Sequence, residues 1–291
     1  MNRTKDAIRS SISAQRRVER VLGMLVLLLL SCLFMLPLLI TLGDSLKGFL
    51  QVYASPRIWI PRPLHFENFV EVFRVLPFHR FFLNSAFVTS LAVTGQVMSA
   101  SLVAYSFARL RWPGRDFCFL LMLSTLMLPG QVTIIPVYLL FNSLGWINTY
   151  YPLIVPFYFG GIGGGVVFIF LLRQFFKTIP ASLEDAAKID GCSYPRILLT
   201  IMLPLAKPAL ATVAVLSFVA NWNDFFNPLI YLNDYTLYTV PLGVSMFKSA
   251  TALQPQLIMA ASLLSLLPIV VLFFSAQRYF IEGIMLSGVK G

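Results

Sequence analysis

The sequence predicts an all-α membrane protein with six transmembrane helices and a polar cytoplasmic elbow. Of its 291 residues, 58% are hydrophobic and only 12% are charged, and the mean hydropathy is +0.79. A soluble globular domain typically has about 45–50% apolar and about 25% charged residues. It could not bury this surplus, because surface area grows too quickly with size. Besides its composition and hydropathy, the sequence contains six long apolar runs.

These runs mark the predicted spans, since a helix needs about 20 apolar residues to cross the hydrocarbon. They cover about 21–43, 83–109, 116–141, 152–174, 207–231 and 257–279. The first run is too long for a signal-peptide core, and no small-residue cleavage site follows it. We therefore expect residues 1–20 to be a cytoplasmic segment and residues 21–291 to be a single transmembrane domain.

Lys and Arg in the short loops predict the orientation. They cluster before span one, between spans two and three, before the elbow and after span six, whereas the link "NSLGWINTYY" has none. Both termini and the elbow are therefore expected in the cytoplasm, with a tail at 280–291. The external segment 44–82 is also basic, but long loops count less in this rule. The net charge of +10 reflects this topology, and no basic–aromatic platform for nucleic acid is visible.

The external segment begins with prolines that block helix formation. Phe66, Phe69, Val70 and Phe73 then share one face of a short amphipathic helix. We expect this helix to lie along the outer surface. The pattern leaves open whether it contacts a partner or only its own bundle.

Spans three and four contain residues that bend helices. Pro129 and Pro136 predict kinks in span three, which occur in pathways and in structural spans alike. In span four, "FGGIGGGVV" repeats glycine at a spacing of four. That spacing permits close backbone approach, so we favour helix packing or a flexible point over ligand contact.

The segment 179–207 predicts two short cytoplasmic helices joined at a glycine. Ser182 is the expected N-cap of the first, and acidic Glu184 and Asp185 follow in its first turn, where the helix dipole favours them. Gly191 ends this helix.

The second helix of the elbow begins at about Tyr194 and carries an apolar stripe. The stripe comprises Ile197, Leu198, Ile201 and Met202. An exposed apolar stripe rimmed by charge is what a docking surface needs. The alternative is an amphipathic helix resting on lipid headgroups. The acidic residues favour a basic protein partner.

Span five contains an unusually polar patch. Its members are Asn221, Asn223, Asp224 and Asn227. An ionised Asp near the bilayer centre costs about 2.5–3.5 kcal/mol, so such residues normally face a bundle interior or a wet cavity. The patch predicts either a pathway-lining cluster or interhelical hydrogen bonds that fix packing, and both readings stay open.

No pattern predicts catalysis or a metal site. The three cysteines lack metal spacing and an external pair, and neither His-Glu-x-x-His nor Gly-x-Ser-x-Gly occurs. The chain also lacks Gly-x-x-x-x-Gly-Lys-Ser/Thr, so we expect it to bind no ATP and no other cofactor itself.

The elbow resembles the signature of membrane subunits of ATP-binding-cassette importers. That signature is Glu-Ala-Ala, three residues, Gly, nine residues, Ile-x-Leu-Pro. The matching residues are Asp185, Ala186, Ala187, Gly191, Ile201, Leu203 and Pro204. Asp185 replaces the usual Glu and Glu184 precedes it, so which carboxylate pairs with a partner stays open.

Further stretches resemble carbohydrate importers of the maltose-transporter type, specifically the smaller of their two permeases. These are "ARLRWPGRD", "LPGQVTIIP", "FLLRQFF", "NWNDFFNPL" and "QRYFIEGIMLSGVKG". The resemblance covers essentially the whole chain and implies the type I importer permease fold. It places the protein in the inner membrane of a bacterial or archaeal cell.

The resemblance also implies partners. A second permease would form a heterodimer with this chain, and two ATPase subunits would bind ATP and Mg and receive the elbow. The tail "SGVKG" would reach the ATPases, and the loop 232–257 would meet an external sugar-binding protein.

The expected cargo is a di- or oligosaccharide. A polyol or a glycerol phosphate ester is the alternative within the same class. A more distant alternative is an ion-coupled secondary carrier in which Asp224 titrates, and a membrane enzyme lacks the machinery.

Overall fold

The structure is a computed structural model that describes residues 2–161, 164–250 and 254–288, with side-chain surroundings for 19–161, 164–248 and 254–277. Within these ranges every regular element is helical, as the all-α prediction requires. The helices are α1 (Asn2–Ser45), α2 (Phe49–Val52), α3 (Glu67–Val75), α4 (Phe78–Arg109), α5 (Arg115–Ser124), α6 (Gly130–Ser143), α7 (Tyr151–Ile154), α8 (Gly165–Thr178), α9 (Ala181–Ile189), α10 (Tyr194–Ile197), α11 (Leu203–Leu205), α12 (Lys207–Trp222), α13 (Phe226–Tyr231), α14 (Val240–Ala250) and α15 (Pro255–Gly288).

Within the part of the chain that the structure describes, three stretches are long and apolar enough to cross a membrane as single helices. They are Glu19–Ser45 within α1, the whole of α4, and Pro255–Gln277 within α15. Pro37 and Pro268 lie inside α1 and α15 without ending them. Counting each bent pair of shorter helices as one span raises the number to as many as six.

Span three is two helices rather than one. A 3₁₀ turn at Thr125–Met127 separates α5 from α6, and the two helices bend by 101°. Pro129, with extended backbone, occupies the N-cap position of α6. Pro136 lies inside α6 and does not interrupt it. Of the two kinks predicted from proline, only the one at Pro129 therefore breaks the span.

Span four breaks at its glycines. Gly160 and Gly161 have φ of +98° and +79°, a backbone region that favours glycine. A Cβ on Gly165 would lie 1.7 Å from the Gly160 carbonyl oxygen. The glycines therefore make the tight backbone crossing that precedes α8. A Cβ on Gly161 or Gly165 would also lie within 3.0 Å of Gln96 Oε1 on α4, so these glycines allow the close packing on a neighbouring helix that their spacing predicts.

The main apolar core lies around α4, which packs most extensively on α8. Leu172 and Phe176 of α8 and Ile197 of α10 are fully buried in one cluster with Ala104 of α4. The cluster extends to Val213 on α12. The core therefore joins the elbow to helices of predicted spans two, four and five.

The chain divides into two compact units. The first comprises Met1–Val72 and Thr251–Leu263, and the second comprises Phe73–Ala250 and Leu264–Gly291. In the first unit, the buried Asn68 side chain donates to the carbonyls of Ser45 and Lys47. The amphipathic helix is present as α3, and Phe66, just before it, is 62% exposed. The prediction of one transmembrane domain at 21–291 stays a prediction.

Candidate functional site

The first arm of the elbow is α9, which ends in a glycine turn. Pro180 occupies the N-cap position, so the N-cap prediction of Ser182 was wrong by two residues. Gly191 has φ of +79°. Its N–H donates to the Lys188 carbonyl at 3.0 Å, and the next N–H, that of Cys192, donates to the Ala187 carbonyl at 2.9 Å. This pair of bonds is the Schellman arrangement that glycine permits.

The second arm runs from α10 through a π turn at Leu198–Met202 into α11. Ile197, Leu198 and Met202 are at most 3% exposed. They belong to the core cluster, and Ile201 and Leu203 pack partly against it. The expectation of an exposed apolar stripe was therefore wrong, because this stripe is what holds the elbow to the rest of the chain. Pro204 is exposed.

Glu184 points into the protein and is only 4% exposed. Tyr105 Oη donates to its Oε1 at 3.3 Å, and Lys188 Nζ lies 3.3 Å from the same oxygen. Arg109 Nε lies 3.8 Å from Glu184 Oε2. The same guanidinium donates to the Phe176 and Ile179 carbonyls at the end of α8. Glu184 thus ties α9 to the end of α4.

Asp185 points outward, with 69% of its side chain exposed. Ala186, Ile189 and Asp190 are also exposed, and Ile189 reaches 86%. These four residues lie at spacings of one, three and four, so they share one face of α9. We call this acidic and apolar surface the outer face of α9. Ala187, on the opposite side, is 5% exposed.

The polar patch of span five lies at a break between two helices. The Oδ1 atom of Asp224 accepts from the N–H groups of Phe226 and Asn227 at 3.1 and 3.2 Å. Its Oδ2 accepts from Asn227 Nδ2 at 2.7 Å. Asn223 ends α12 and donates to the Val219 carbonyl. The prediction of one continuous helix over 207–231 was therefore wrong, and Asn223 and Asn227 lie on opposite sides of the break.

Three of the four patch residues line a cleft of about 320 Å³. They are Asn221, Asp224 and Asn227; Asn223 is not among the lining residues. Other polar side chains in the lining are Thr89, Gln131, Thr133 and Thr239, and the aromatic ones are Phe141, Phe157, Phe226 and Tyr231. We call this space the polar cleft.

Thr239 is one member of the polar cleft that the sequence pattern did not predict. It is 5% exposed, and its hydroxyl has no hydrogen-bond partner in the part of the chain that the structure describes. It follows a loop with no hydrophobic periodicity, so no sequence signal marks it. Gln131 of α6 was also missed, because the span was treated as one apolar helix.

Hydrogen bonds hold the loop that precedes Thr239. Asn148 Oδ1 accepts from the N–H groups of Asn233 and Asp234, and Asn84 Nδ2 donates to the Thr236 and Tyr238 carbonyls. The Thr236 N–H and hydroxyl bond to Asp234, and they lower the pKa of that carboxyl. Thr239 is thus held at the cleft by a fixed segment.

The described residues contain no group of three or more His, Cys, Asp or Glu that could hold a metal. Cys32 and Cys118 are exposed and Cys192 is half-buried, all as free thiols. Residues 289–291 of the predicted tail lie outside the described residues, as do the side chains from 278 onward.

Comparison with known proteins gives consistent similarities. A family described as "Binding-protein-dependent transport system inner membrane component" matches residues 96–285, which include the elbow and the lining of the polar cleft except Val88 and Thr89. The arabinooligosaccharides transport system permease protein of Halalkalibacterium halodurans is 35% identical over 235 residues, covering 80% of this chain and 82% of that protein. The melibiose/raffinose/stachyose import permease protein of Bacillus subtilis is 31% identical over 280 residues, covering 96% and 99%.

A solved structure is similar over most of the chain. It is that of a bacterial ABC transporter involved in the import of the acidic polysaccharide alginate. One of its chains has a TM-score of 0.77 and 25% sequence identity, and the match covers 91% of this chain and 98% of that one.

Proposed function

This chain belongs to the family of binding-protein-dependent transport system inner membrane components, and from that membership we propose that it forms half of the pathway of an ATP-driven sugar importer. The proposed cargo is a di- or oligosaccharide delivered by an external binding protein. The permeases that match at 35% and 31% identity are described as transporting such sugars.

The observation that carries the proposal is the outer face of α9. Ile189 is 86% exposed between the exposed carboxylates of Asp185 and Asp190. An apolar centre with a charged rim is the arrangement found in protein interfaces. The proposed occupant is an ATPase subunit with a basic groove. A second permease subunit and two ATPases would complete the complex, and ATP and Mg would bind to the ATPases alone.

The two elbow carboxylates point in different directions, which supports different roles for them: docking to the ATPase for Asp185 and attachment of α9 to α4 for Glu184. Asp185 is 69% exposed and has only a long contact to Lys188, at 3.9 Å, so it can pair with a basic residue of the ATPase. Glu184 is held inside the chain by Tyr105, Arg109 and Lys188. Arg109 in turn bonds to the end of α8. Movement of the docked elbow would therefore be passed to α4 and α8 as a rigid body, which is a common way of switching between states.

The proposed topology has six spans and both termini in the cytoplasm. The spans would be α1, α4, the pair α5 and α6, the pair α7 and α8, the pair α12 and α13, and α15. In this arrangement α9 to α11 lie at the cytoplasmic surface. The segment 232–257, predicted as a loop but containing α14, and the link before α7 would lie outside, where the binding protein would dock.

The experiment is a pull-down of this chain from detergent-solubilised native membranes, with its partners identified by mass. The expected complex contains an ATPase, a second permease and a solute-binding protein. Recovery of the chain alone, with solute movement in vesicles that needs no ATP, would contradict the proposal and favour a secondary carrier. Ligand screening of the recovered binding protein then separates a sugar from a polyol or a glycerol phosphate ester.

A further inference from the structure

We propose that this chain contacts the transported solute directly at the polar cleft, and that the cleft accepts an uncharged polyhydroxyl group and rejects an anionic one. The inference rests on the proposed function and adds to it a solute subsite and a charge preference. Its evidence is the composition of the lining, one unpaired hydroxyl and the sign of the local charge.

The lining has the chemistry of a small-molecule site. Amide and carboxylate side chains from the α12–α13 break face the same space as Gln131 and Thr133 of α6. Phe157, Phe226 and Tyr231 provide apolar surface beside them. Ligand sites are typically apolar clefts with a few convergent polar groups that fix orientation. A sugar ring presents hydroxyls at its edge and C–H groups on its faces, so it complements both kinds of surface.

The Thr239 hydroxyl gives an independent indication of a ligand. Buried polar groups nearly always have a hydrogen-bond partner, so an exception needs an explanation. This hydroxyl has none among the described residues, although Thr239 is 5% exposed and borders the cleft. A hydroxyl can both donate and accept. The oxygen itself is enclosed in this structure. A rotation of the Thr239 side chain would therefore bring it to a solute hydroxyl in the cleft, as donor or as acceptor.

The charge of the cleft selects against anions. Asp224 is the one acidic residue in the lining, and the lining contains no Lys, Arg or His. Asp224 is anchored by two backbone N–H groups and the Asn227 amide, so it cannot swing away. Like charges repel more strongly beside low-dielectric walls than in water, and such repulsion is an effective source of specificity. A phosphate ester or a uronate would therefore bind poorly here.

The test measures solute binding to the purified complex in nanodiscs without the external binding protein, so that the selectivity observed belongs to the membrane subunits. Saturation-transfer NMR would use raffinose and arabinotriose as neutral probes and trigalacturonate as the anionic probe. The expected result is signal from the neutral probes and none from trigalacturonate. The inference would be overturned if neither neutral probe gave a saturation-transfer signal, or if trigalacturonate gave a signal equal to theirs.

Two variants locate the binding in this chain. Thr239→Val removes the hydroxyl at nearly constant shape and should weaken binding of the neutral probes about tenfold. It should not lower the thermal stability of the complex, because the lost hydroxyl had no protein partner. Thr94→Val is the matched control, since that hydroxyl bonds to its own helix at the Ser90 carbonyl. If Thr239→Val and Thr94→Val bound the neutral probes equally well, the solute subsite would not include the Thr239 hydroxyl.

Asp224→Asn tests the charge. The amide oxygen can still accept the two backbone N–H bonds, so the helix break should persist. The variant should admit trigalacturonate and keep the neutral probes. Continued exclusion of trigalacturonate would overturn the charge argument. A complex that imports a sugar while Thr239→Val binds it normally would remove this inference and leave the proposed function intact.

Discussion

Adjacent carboxylates in the elbow have opposite environments. Glu184 is 4% exposed and contacts Tyr105 and Lys188, whereas the Asp185 side chain is 69% exposed. The sequence places both in the first turn of a helix but cannot distinguish them. The distinction depends on Tyr105 and Arg109, which lie at the end of α4 and reach Glu184 only in the folded chain.

These environments predict different outcomes for two variants that each replace a carboxylate with an uncharged amide. Glu184→Gln should lower the free energy of unfolding by about 1–2 kcal/mol, because it leaves Arg109 without its counter-charge in a buried site. Asp185→Asn should change stability by less than about 0.5 kcal/mol, as exposed substitutions usually do, and should weaken ATPase association. Thermal unfolding and pull-down of the two variants check this. The reverse pattern would show that Glu184 is the docking residue.

The polar patch was partly predictable at the residue scale. Four polar residues in an apolar run indicated a wet or buried site, and three of them line the polar cleft. Asn223 does not, because the helix ends at Trp222. Thr239 joins the cleft through the loop bonds of Asn148 and Asn84, which no local pattern reveals.

At the scale of elements, the elbow was predictable in outline. Gly191 ends the first arm as expected, and Pro195 lies in the first turn of α10. The direction of the apolar stripe was not predictable, since the same spacing describes a stripe that docks to a partner and one that packs into its own core. Because Ile197 and Met202 are buried, the stripe packs into the core of its own chain.

Substitutions at Gly191 can separate the strain of a left-handed backbone from steric contact with a docked ATPase. A Cβ there meets nothing within 4 Å, so substitution is opposed inside this chain only by the left-handed backbone, at about 1–2 kcal/mol for most residues. Asn tolerates this region better than Val. We expect Gly191→Val to reduce uptake while Gly191→Asn retains most of it. Equal loss in both would indicate that the ATPase occupies the space beside Gly191, and wild-type uptake in both would exclude the elbow angle from the mechanism.

Two neighbouring glycines of span four should differ strongly in how much stability they lose on substitution by alanine. Gly165→Ala should destabilise the chain by about 3 kcal/mol or more, because its Cβ would overlap the Gly160 carbonyl. Gly164→Ala is the matched control, since its backbone is right-handed and its Cβ meets nothing within 4 Å. Expression level and thermal unfolding in detergent would compare the two. Similar stability of both variants would mean that the crossing at Gly160 is not formed.

At the scale of the whole molecule, hydropathy predicted the apolar runs but not their continuity. The runs 116–141, 152–174 and 207–231 contain bends or breaks, because hydropathy measures whether a segment prefers lipid and not whether its backbone bonds continue. Pro129 and the glycines gave a local signal for two of these interruptions. The resemblance to sugar-importer permeases, drawn from the elbow and the flanking stretches, is confirmed by the family match and the similar solved structure.

Sugar uptake into proteoliposomes that contain the complete complex, with ATP inside and the loaded binding protein outside, tests directly whether this chain is half of an ATP-driven importer. We expect sugar to accumulate against its gradient only when hydrolysable ATP and the binding protein are both present. We also expect Asp185→Lys to abolish uptake together with ATPase association. Accumulation by this chain alone, driven by an ion gradient and unaffected by ATP, would contradict the importer function.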